Sequence, residues 1–257
     1  MPATVLRHQV PGPVPSVYTV RRRLAEAKLR SRRPRKRPRL TTSHVSNRMR
    51  WAMAHSHWRE RQWRRVIWTD ESRFKLMRTD NRIRVWREPN QEWLKENVTE
   101  TLTAGGGSIM VWAGINYSGR TNLVICKNVT GTVYKDILQN HLLPFAHQSL
   151  GESSNLLLMD DNATPHRCRV VKDFKDGMGI RTLRWPSKSP DLDPIENLWN
   201  ILKTRVARRN PMNLEELRAL LIEEWDGLPE SLLHNLADSE TRRVRALLLA
   251  NGSHIRY

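Results

Sequence analysis

Two short apolar runs in this chain each close on an acid. Val66-Ile-Trp-Thr is followed by Asp70, and Leu156-Leu-Leu-Met is followed by Asp160 and Asp161. Apolar runs this short read as buried strands rather than buried helices. A third acid, Glu196, opens an amphipathic segment in which Ile195, Leu198, Trp199, Leu202 and Val206 recur at helical spacing. Docking that helix on a sheet built from the two runs would aim Glu196 at Asp70 and Asp161. Ninety residues separate Asp70 from Asp161, and thirty-four separate Asp161 from Glu196. Any one of these acids alone would ordinarily be an N-cap or a surface charge. Three of them, at two strand ends and a helix start, are read here as one site. Carboxylate oxygens suit hard divalent cations such as Mg²⁺ or Mn²⁺. Converging in a basic protein, they point to metal-dependent phosphoryl transfer on nucleic acid, with two ions clamping the reacting phosphate.

The pattern around them predicts strands over 66–69, 73–77, 83–86, 108–115, 122–126, 155–159 and 181–185. It predicts helices over 17–30, 42–64, 133–149, 167–176, 195–208, 214–225 and 230–250. A β-meander followed by alternating helix and strand argues for a mixed α/β sandwich. Thr19 is the expected N-cap of the 17–30 helix, and residues 1–16 read as Pro-rich and irregular. The Gly105–107 run opens a strand and lacks a Gly-Lys-Ser/Thr ending, so it reads as a turn rather than a phosphate loop. Trp112, Trp185 and Trp199 sit in apolar patterns and are assigned to packing.

Net charge is +18 and unevenly spread. Residues 1–65 hold 18 Lys/Arg against Glu26 and Glu60, whereas the remaining 192 residues hold 26 basic and 24 acidic side chains. A nearly neutral body with a strongly basic arm is the electrostatic footprint of nucleic-acid binding. The arm contributes Arg21, Arg22 and Arg23 within the 17–30 helix, and Arg32, Arg33, Arg35, Lys36, Arg37 and Arg39 in a tract broken by Pro34 and Pro38. Dense like charge with prolines cannot form a packed core and stays extended. Such a tract fits a narrow A·T minor groove and also reads as a nuclear-import patch. No apolar run approaches the roughly 20 residues of a membrane helix, and prolines 11, 13 and 15 interrupt any signal-peptide core. Cys126 and Cys168 are the only cysteines, too few for a disulfide framework or a zinc site. No membrane partner is expected.

Four motifs in order then make a resemblance specific. They are Thr-Asp-Glu-Ser-Arg-Phe (69–74), Gly-Gly-Gly-Ser-Ile-Met-Val-Trp (105–112), Asp-Asn-Ala-Thr-Pro-His (161–166) and Trp-Pro-Ser-Lys-Ser-Pro-Asp-Leu-Asp-Pro-Ile-Glu-Asn-Leu-Trp (185–199). The chain resembles the Tc/mariner-type DNA transposases from about Thr19 to Tyr257, in the branch with thirty-four residues between the second Asp and the Glu. The resemblance implies a ribonuclease-H-like fold, a mixed sheet flanked by helices, with Asp70, Asp161 and Glu196 as catalytic, metal-binding acids. It places the ligand at Asp161 rather than Asp160, and strand alternation sends the two neighbours to opposite faces; Glu71 is set aside beside Asp70 in the same way. Asn162 and His166 match the family's Asp-Asn…His element, either supporting DNA or the metal shell or simply shaping their loop. Where the family often has Asn, this chain has Asp193.

The implied activity is cut-and-paste transposition: metal-dependent strand cleavage, then strand transfer by the freed 3′-hydroxyl. The implied partners are transposon-end and target double-stranded DNA, with a homo-oligomer assembling on it. The expected division is a DNA-binding remnant plus basic linker over 1–43 and a catalytic domain over 44–257. Members of the family begin with two helix-turn-helix modules, and the 17–30 helix looks like the last helix of the second, after a Pro-rich start that does not match. An N-terminally truncated copy, or a misplaced start, is therefore expected, as is a nuclear location. The alternative reading is a host-retained or decayed DNA-binding protein that no longer cuts.

Overall fold

In the computed structural model of the chain, described over residues 3–30, 37–76, 106–151 and 156–257, the run starting at Val66 forms a central strand, β1 (Val66–Lys75). On one side of it lies β2 (Ser108–Asn116), antiparallel, with Asp70 opposite Ala113. β3 (Gly119–Arg120) and β4 (Val124–Cys126) each pair antiparallel with β2. On the other side β5 (Leu157–Met159) runs parallel to β1, and β6 (Arg181–Thr182) runs parallel to β5. The order β3-β2-β1-β5-β6, with β4 also on β2, joins an antiparallel meander to a parallel half through β1. This is the ribonuclease-H-like mixed sheet. The predicted strand 83–86 lies outside the described residues, as do Gly105 and the end of 73–77.

Successive strand residues face opposite sides of a sheet, and the packing obeys this. Val66, Trp68, Val111, Ala113 and Met159 join one buried cluster; Ile67, Trp112 and Leu158 join the other. The second cluster lies under α5 (Gly131–Ile137), a π-helical segment Leu138–Leu142, α6 (Leu143–Leu150) and α8 (Arg169–Gly177), entered by the short α7 (Thr164–Arg167). The first is covered by α9 (Pro194–Arg209), α10 (Leu214–Asp226), α11 (Glu230–Asp238) and α12 (Glu240–Leu249), together with α3 (Thr42–His55) and α4 (Glu60–Trp63). Helices thus sit on both faces of the sheet.

Several elements differ from the sequence expectation for identifiable reasons. β1 continues to Lys75 instead of pausing at Thr69, because β2 pairs with it all the way to Ser108. Asp70 therefore lies inside a strand, not past its end. Its parallel neighbour β5 does stop, opposite Trp68, so Asp70 stands just beyond the parallel half of the ladder. The 42–64 helix is two: Ser56 Oγ donates to the Met53 carbonyl at 2.8 Å, and the chain turns so that Trp58 meets Trp63 at 4.6 Å between ring centroids. The 230–250 helix breaks at Ser239, whose hydroxyl bonds the Leu236 carbonyl at 2.6 Å. Leading into β2, Gly106 and Gly107 take φ of 72° and 92°, the left-handed turn their lack of a Cβ permits.

The chain divides into two compact units, Met1–Pro38 and Arg39–Tyr257. In the first, residues read as irregular form α1 (Ala3–Leu6) and a 3₁₀ turn, and the predicted 17–30 helix is the shorter α2 (Val17–Glu26). Its cap is Ser16, whose Oγ accepts from Thr19 N at 3.0 Å; Thr19 sits inside the first turn instead. It ends where Lys28 turns left-handed at φ 59°, with Leu29 N bonding the Leu24 carbonyl in a Schellman motif. Among the described residues no helix is long and apolar enough to cross a membrane.

Candidate active site

Alternation along β1 decides where its two acids point. Asp70 shares a face with Val66 and Trp68 and meets α9; Glu71 emerges on the opposite face. The Asp70 Oδ2 accepts a hydrogen bond from Trp199 Nε1 at 2.9 Å. Glu196 lies in the first turn of α9, half-buried, three residues before Trp199 on the same helix face. The start of α9 is set by Asp193, whose carboxylate caps the Ile195 N–H at 3.1 Å, and by Pro194, suited to a first helical position. Burial, then the charges of Glu196 and Glu71, push Asp70 up to about 8. Burial and the Asp70 charge push Asp193 well above the carboxylate range, and burial raises Glu196. Lys203 opposes the burial of Glu196, yet all three carboxyl groups of this patch remain raised.

Asp161 stands two residues past the end of β5, its side chain 55% exposed. Its Oδ1 accepts from Ala163 N at 2.8 Å and faces His166 Nδ1 at 2.8 Å. His166 is buried and its other nitrogen, Nε2, lies 3.2 Å from Glu71 Oε1. Burial alone would lower the imidazole pKa, but the two carboxylates outweigh it and push it up to about 10. The His166 hydrogen bond in turn holds Asp161 below the usual carboxylate range. Asp160 faces the other way: it accepts from Tyr134 OH at 2.8 Å and pairs with Lys175. Tyr134 packs on the His166 ring with centroids 4.0 Å apart.

Of the predicted acids, Asp70 and Glu196 therefore share one patch, while Asp161 stands at the neighbouring strand end with one oxygen committed to His166. Among the described residues no cluster of three His, Cys, Asp or Glu side chains is closed around a single point. Asn162 is exposed, and its Nδ2 donates to the Trp185 carbonyl at 2.9 Å. Arg21, Arg22 and Arg23 are exposed on α2, with Arg22 and Arg23 leaning on Glu26 at 3.4 and 2.9 Å. Arg37 is half-buried and Arg39 exposed; Arg32, Arg33, Arg35 and Lys36 lie outside the described residues.

Three contributors escaped the sequence reading. Trp199, assigned to packing, also holds Asp70, and its i+3 spacing from Glu196 was the available signal. Glu71, set aside, engages His166. Arg48 is wholly buried beneath the loop before Glu196, where it grips Asp191 through paired 2.8 Å bonds.

Comparison with known proteins agrees with this geometry. The sequence family described as "DDE superfamily endonuclease" matches residues 65–218, and a transposase helix-turn-helix family matches residues 3–57. The second match starts at residue 3, so it includes the Pro-rich start that was expected not to match. The Transposable element Tcb1 transposase of Caenorhabditis briggsae is 34% identical over 249 residues, covering 95% of this chain and 89% of that protein. The Transposable element Tc1 transposase of Caenorhabditis elegans is 34% identical over 246 residues with the same coverages, 95% and 89%. The fold matches the Mos1 transposase paired-end complex with left transposon end at a TM-score of 0.82 and 19% identity, over 100% of this chain and 76% of that one. It matches the catalytic domain of Mos1 mariner transposase at 0.68 and 15% identity, over 86% and 100%.

Proposed function

Because this chain belongs to the Tc1/mariner-type DNA transposases and carries their DDE endonuclease domain, we propose that Asp70, Asp161 and Glu196 are its catalytic acids, holding two Mg²⁺ or Mn²⁺ ions. The activity is phosphoryl transfer on DNA, and DDE domains work with divalent metal. One observation carries the residue assignment. Asp70 and Glu196, distant in sequence, meet in a half-buried patch of carboxyl groups pushed up by burial, beside Asp161. Like charges held this close favour protonation unless a cation joins them. Oxygen-only donors suit a hard divalent ion.

The chain's own residues prepare that role. Trp199 fixes one oxygen of Asp70. His166 keeps Asp161 ionised and occupies Oδ1, leaving Oδ2 for a ligand. Asp193 anchors the α9 start that carries Glu196. Asp70, Asp161 and Glu196 would hold the ions, which would supply activation of the attacking oxygen and stabilisation of the leaving oxygen in an in-line displacement. Water as attacking group gives cleavage, and a DNA 3′-hydroxyl gives strand transfer; neither needs a protein nucleophile.

The substrate is double-stranded DNA at transposon ends and targets, and the chain acts as a homo-oligomer on it, a reading supported by the fold's likeness to a Mos1 transposase paired-end complex with a transposon end. Residues 1–43 engage DNA, residues 44–257 catalyse, and the 30–39 tract directs the chain to the nucleus. Nothing favours reading the chain as decayed. Purified protein should nick supercoiled plasmid with Mn²⁺ or Mg²⁺, and Asp161→Ala and Glu196→Gln should each reduce nicking to background. Nicking that persists in both variants would overturn the assignment.

A further inference from the structure

Next to Asp161 the structure has a cleft of about 540 Å³, walled by α7, α8 and the end of β6. Asp161, Asn162 and His166 form its inner rim; Arg167, Lys172, Arg181 and Arg184 also line it, together with one exposed acid, Asp176. The four basic side chains are exposed, and no acid lies within ion-pair distance of any of them among the described residues. On the same helix Arg169 pairs with Asp173 at 3.6 Å, Arg64 with Asp238 at 2.8 Å, and Arg209 with Glu223 at 2.9 Å. The cation deepest in the cleft, Lys175, is already committed to Asp160, so the lining's free positive charge faces outward.

The cleft's position matters as much as its charge. It opens at the carboxyl ends of parallel β5 and β6, where open α/β sheets take their ligands. Leu158 is the register partner of Thr182. Two residues further along each strand stand Asp160 and Arg184, so Arg184 is level with the acids. The walls are fixed rather than waiting to close. The Asn162 side chain ties the loop after β5 to Trp185. Gly179, at φ 65°, ends α8 in a Schellman turn with Ile180 N on the Lys175 carbonyl at 2.8 Å, which places Arg181.

We propose that this cleft is a phosphate track for the DNA strand that carries the reacting phosphate. The phosphates next to it on that strand run past Arg184 and Arg181 and between Arg167 and Lys172 as the strand leaves Asp161. This rests on the transposase reading above. The track grips the backbone without reading sequence, because phosphate contacts position a strand and base contacts specify it.

The test compares the full-length chain with an Arg181→Ala/Arg184→Ala variant and an Arg169→Ala control, binding a duplex oligonucleotide across a salt series. Each phosphate contact on B-DNA contributes about 0.9 to the slope of log K against log salt. The double variant should therefore show a slope shallower by about 1.8 and weaker binding, on the order of tenfold or more at low salt. Arg169→Ala should match wild type, and melting temperatures should agree because all three side chains are exposed. An Arg181→Glu/Arg184→Glu variant should weaken binding further. If wild type binds and nicks DNA while the double variant keeps the wild-type slope and affinity, the track is wrong. If the slope shifts as expected but wild type never nicks with Mn²⁺, the cleft still grips DNA phosphate, while the assignment of Asp70, Asp161 and Glu196 as catalytic acids fails.

Discussion

Glu240 is wholly buried, and its nearest cation, Arg243 Nε, lies 3.1 Å from Oε1. The pair is close enough for an ion pair, yet neither carboxylate oxygen accepts an aligned hydrogen bond. Burial dominates, with Arg243 opposing it, and pushes Glu240 up to about 8. In the unfolded chain a glutamate titrates near 4.3. Between those values the folded state keeps a proton that the unfolded state has released. Linkage then makes folding less favourable as pH rises through this window, by several kcal/mol for a shift of this size. Asp70, Asp193 and Glu196 are shifted the same way and add to the slope. The metal-free protein should therefore melt at lower temperature at pH 8.5 than at pH 5, and Glu240→Gln should flatten that decline. Parallel profiles for the two proteins would mean that Glu240 is not the strained group. At this scale the three acids proposed as catalytic could be singled out in the sequence because each closed an apolar run or opened a helix. Arg48 was not. One arginine in a basic helix looks like any other, and only Asp191, 143 residues away, makes it a core residue.

At the scale of elements, the loop before α9 is held by parts from both ends of the chain. All five N–H groups of Arg48 on α3 have acceptors: Asp191 through both terminal nitrogens, Ser189 Oγ at 2.7 Å, and the Gly252 and Ser253 carbonyls at 2.9 and 3.0 Å. Asp191 Oδ2 also accepts Ile255 N at 2.9 Å. From α12, Arg243 reaches the Asp191 carbonyl at 3.0 Å and Asn197 Oδ1, beside Glu196, at 2.7 Å. Removing one partner of a buried ion pair leaves the other charge stranded, at a cost of about 3–5 kcal/mol. Arg48→Met should lose stability on that scale in denaturant unfolding, and Arg48→Lys should not restore it, because an ammonium cannot reproduce the guanidinium fork. A loss below about 1 kcal/mol would show that the clamp contributes little beyond packing. Gly252→Ala should also destabilise, since a Cβ there would sit 2.3 Å from the Val45 carbonyl oxygen at φ 78°. Periodicity revealed α9 and α10 nearly to their ends, because each has a continuous apolar stripe. It misjudged β1, whose second half alternates around polar residues and is kept extended by β2. It also merged α3 with α4 and α11 with α12, since both breaks depend on serine hydroxyls bonding a carbonyl three residues back.

Across the whole molecule, charge is partitioned by unit. Met1–Pro38 holds eleven Lys/Arg against the single acid Glu26, a net +10 in 38 residues, whereas Arg39–Tyr257 holds 33 basic and 25 acidic side chains, a net +8 in 219. This partition was plain from counting, since net charge needs no knowledge of fold; where the body's own unpaired cations gather could be seen only once β5, β6 and α8 were in place. Counterion release gives the partition a measurable consequence. Each arm cation that meets a phosphate adds to both affinity and salt dependence, and that contribution disappears with the arm. Deleting residues 1–38 leaves Thr41, the N-cap of α3, and the core of the second unit intact, so the shortened protein should keep a cooperative thermal transition. Its non-specific DNA affinity should fall sharply at low salt, and its slope of log K against log salt should be shallower by about 0.9 for every phosphate the arm had neutralised. A smaller slope should remain, and Arg181→Ala/Arg184→Ala in the shortened protein should reduce it again. If the deletion leaves affinity and slope unchanged, the body alone binds DNA and the basic arm is not the electrostatic footprint. If it removes the salt dependence entirely, the arm is the whole footprint and the cleft beside Asp161 grips no phosphate.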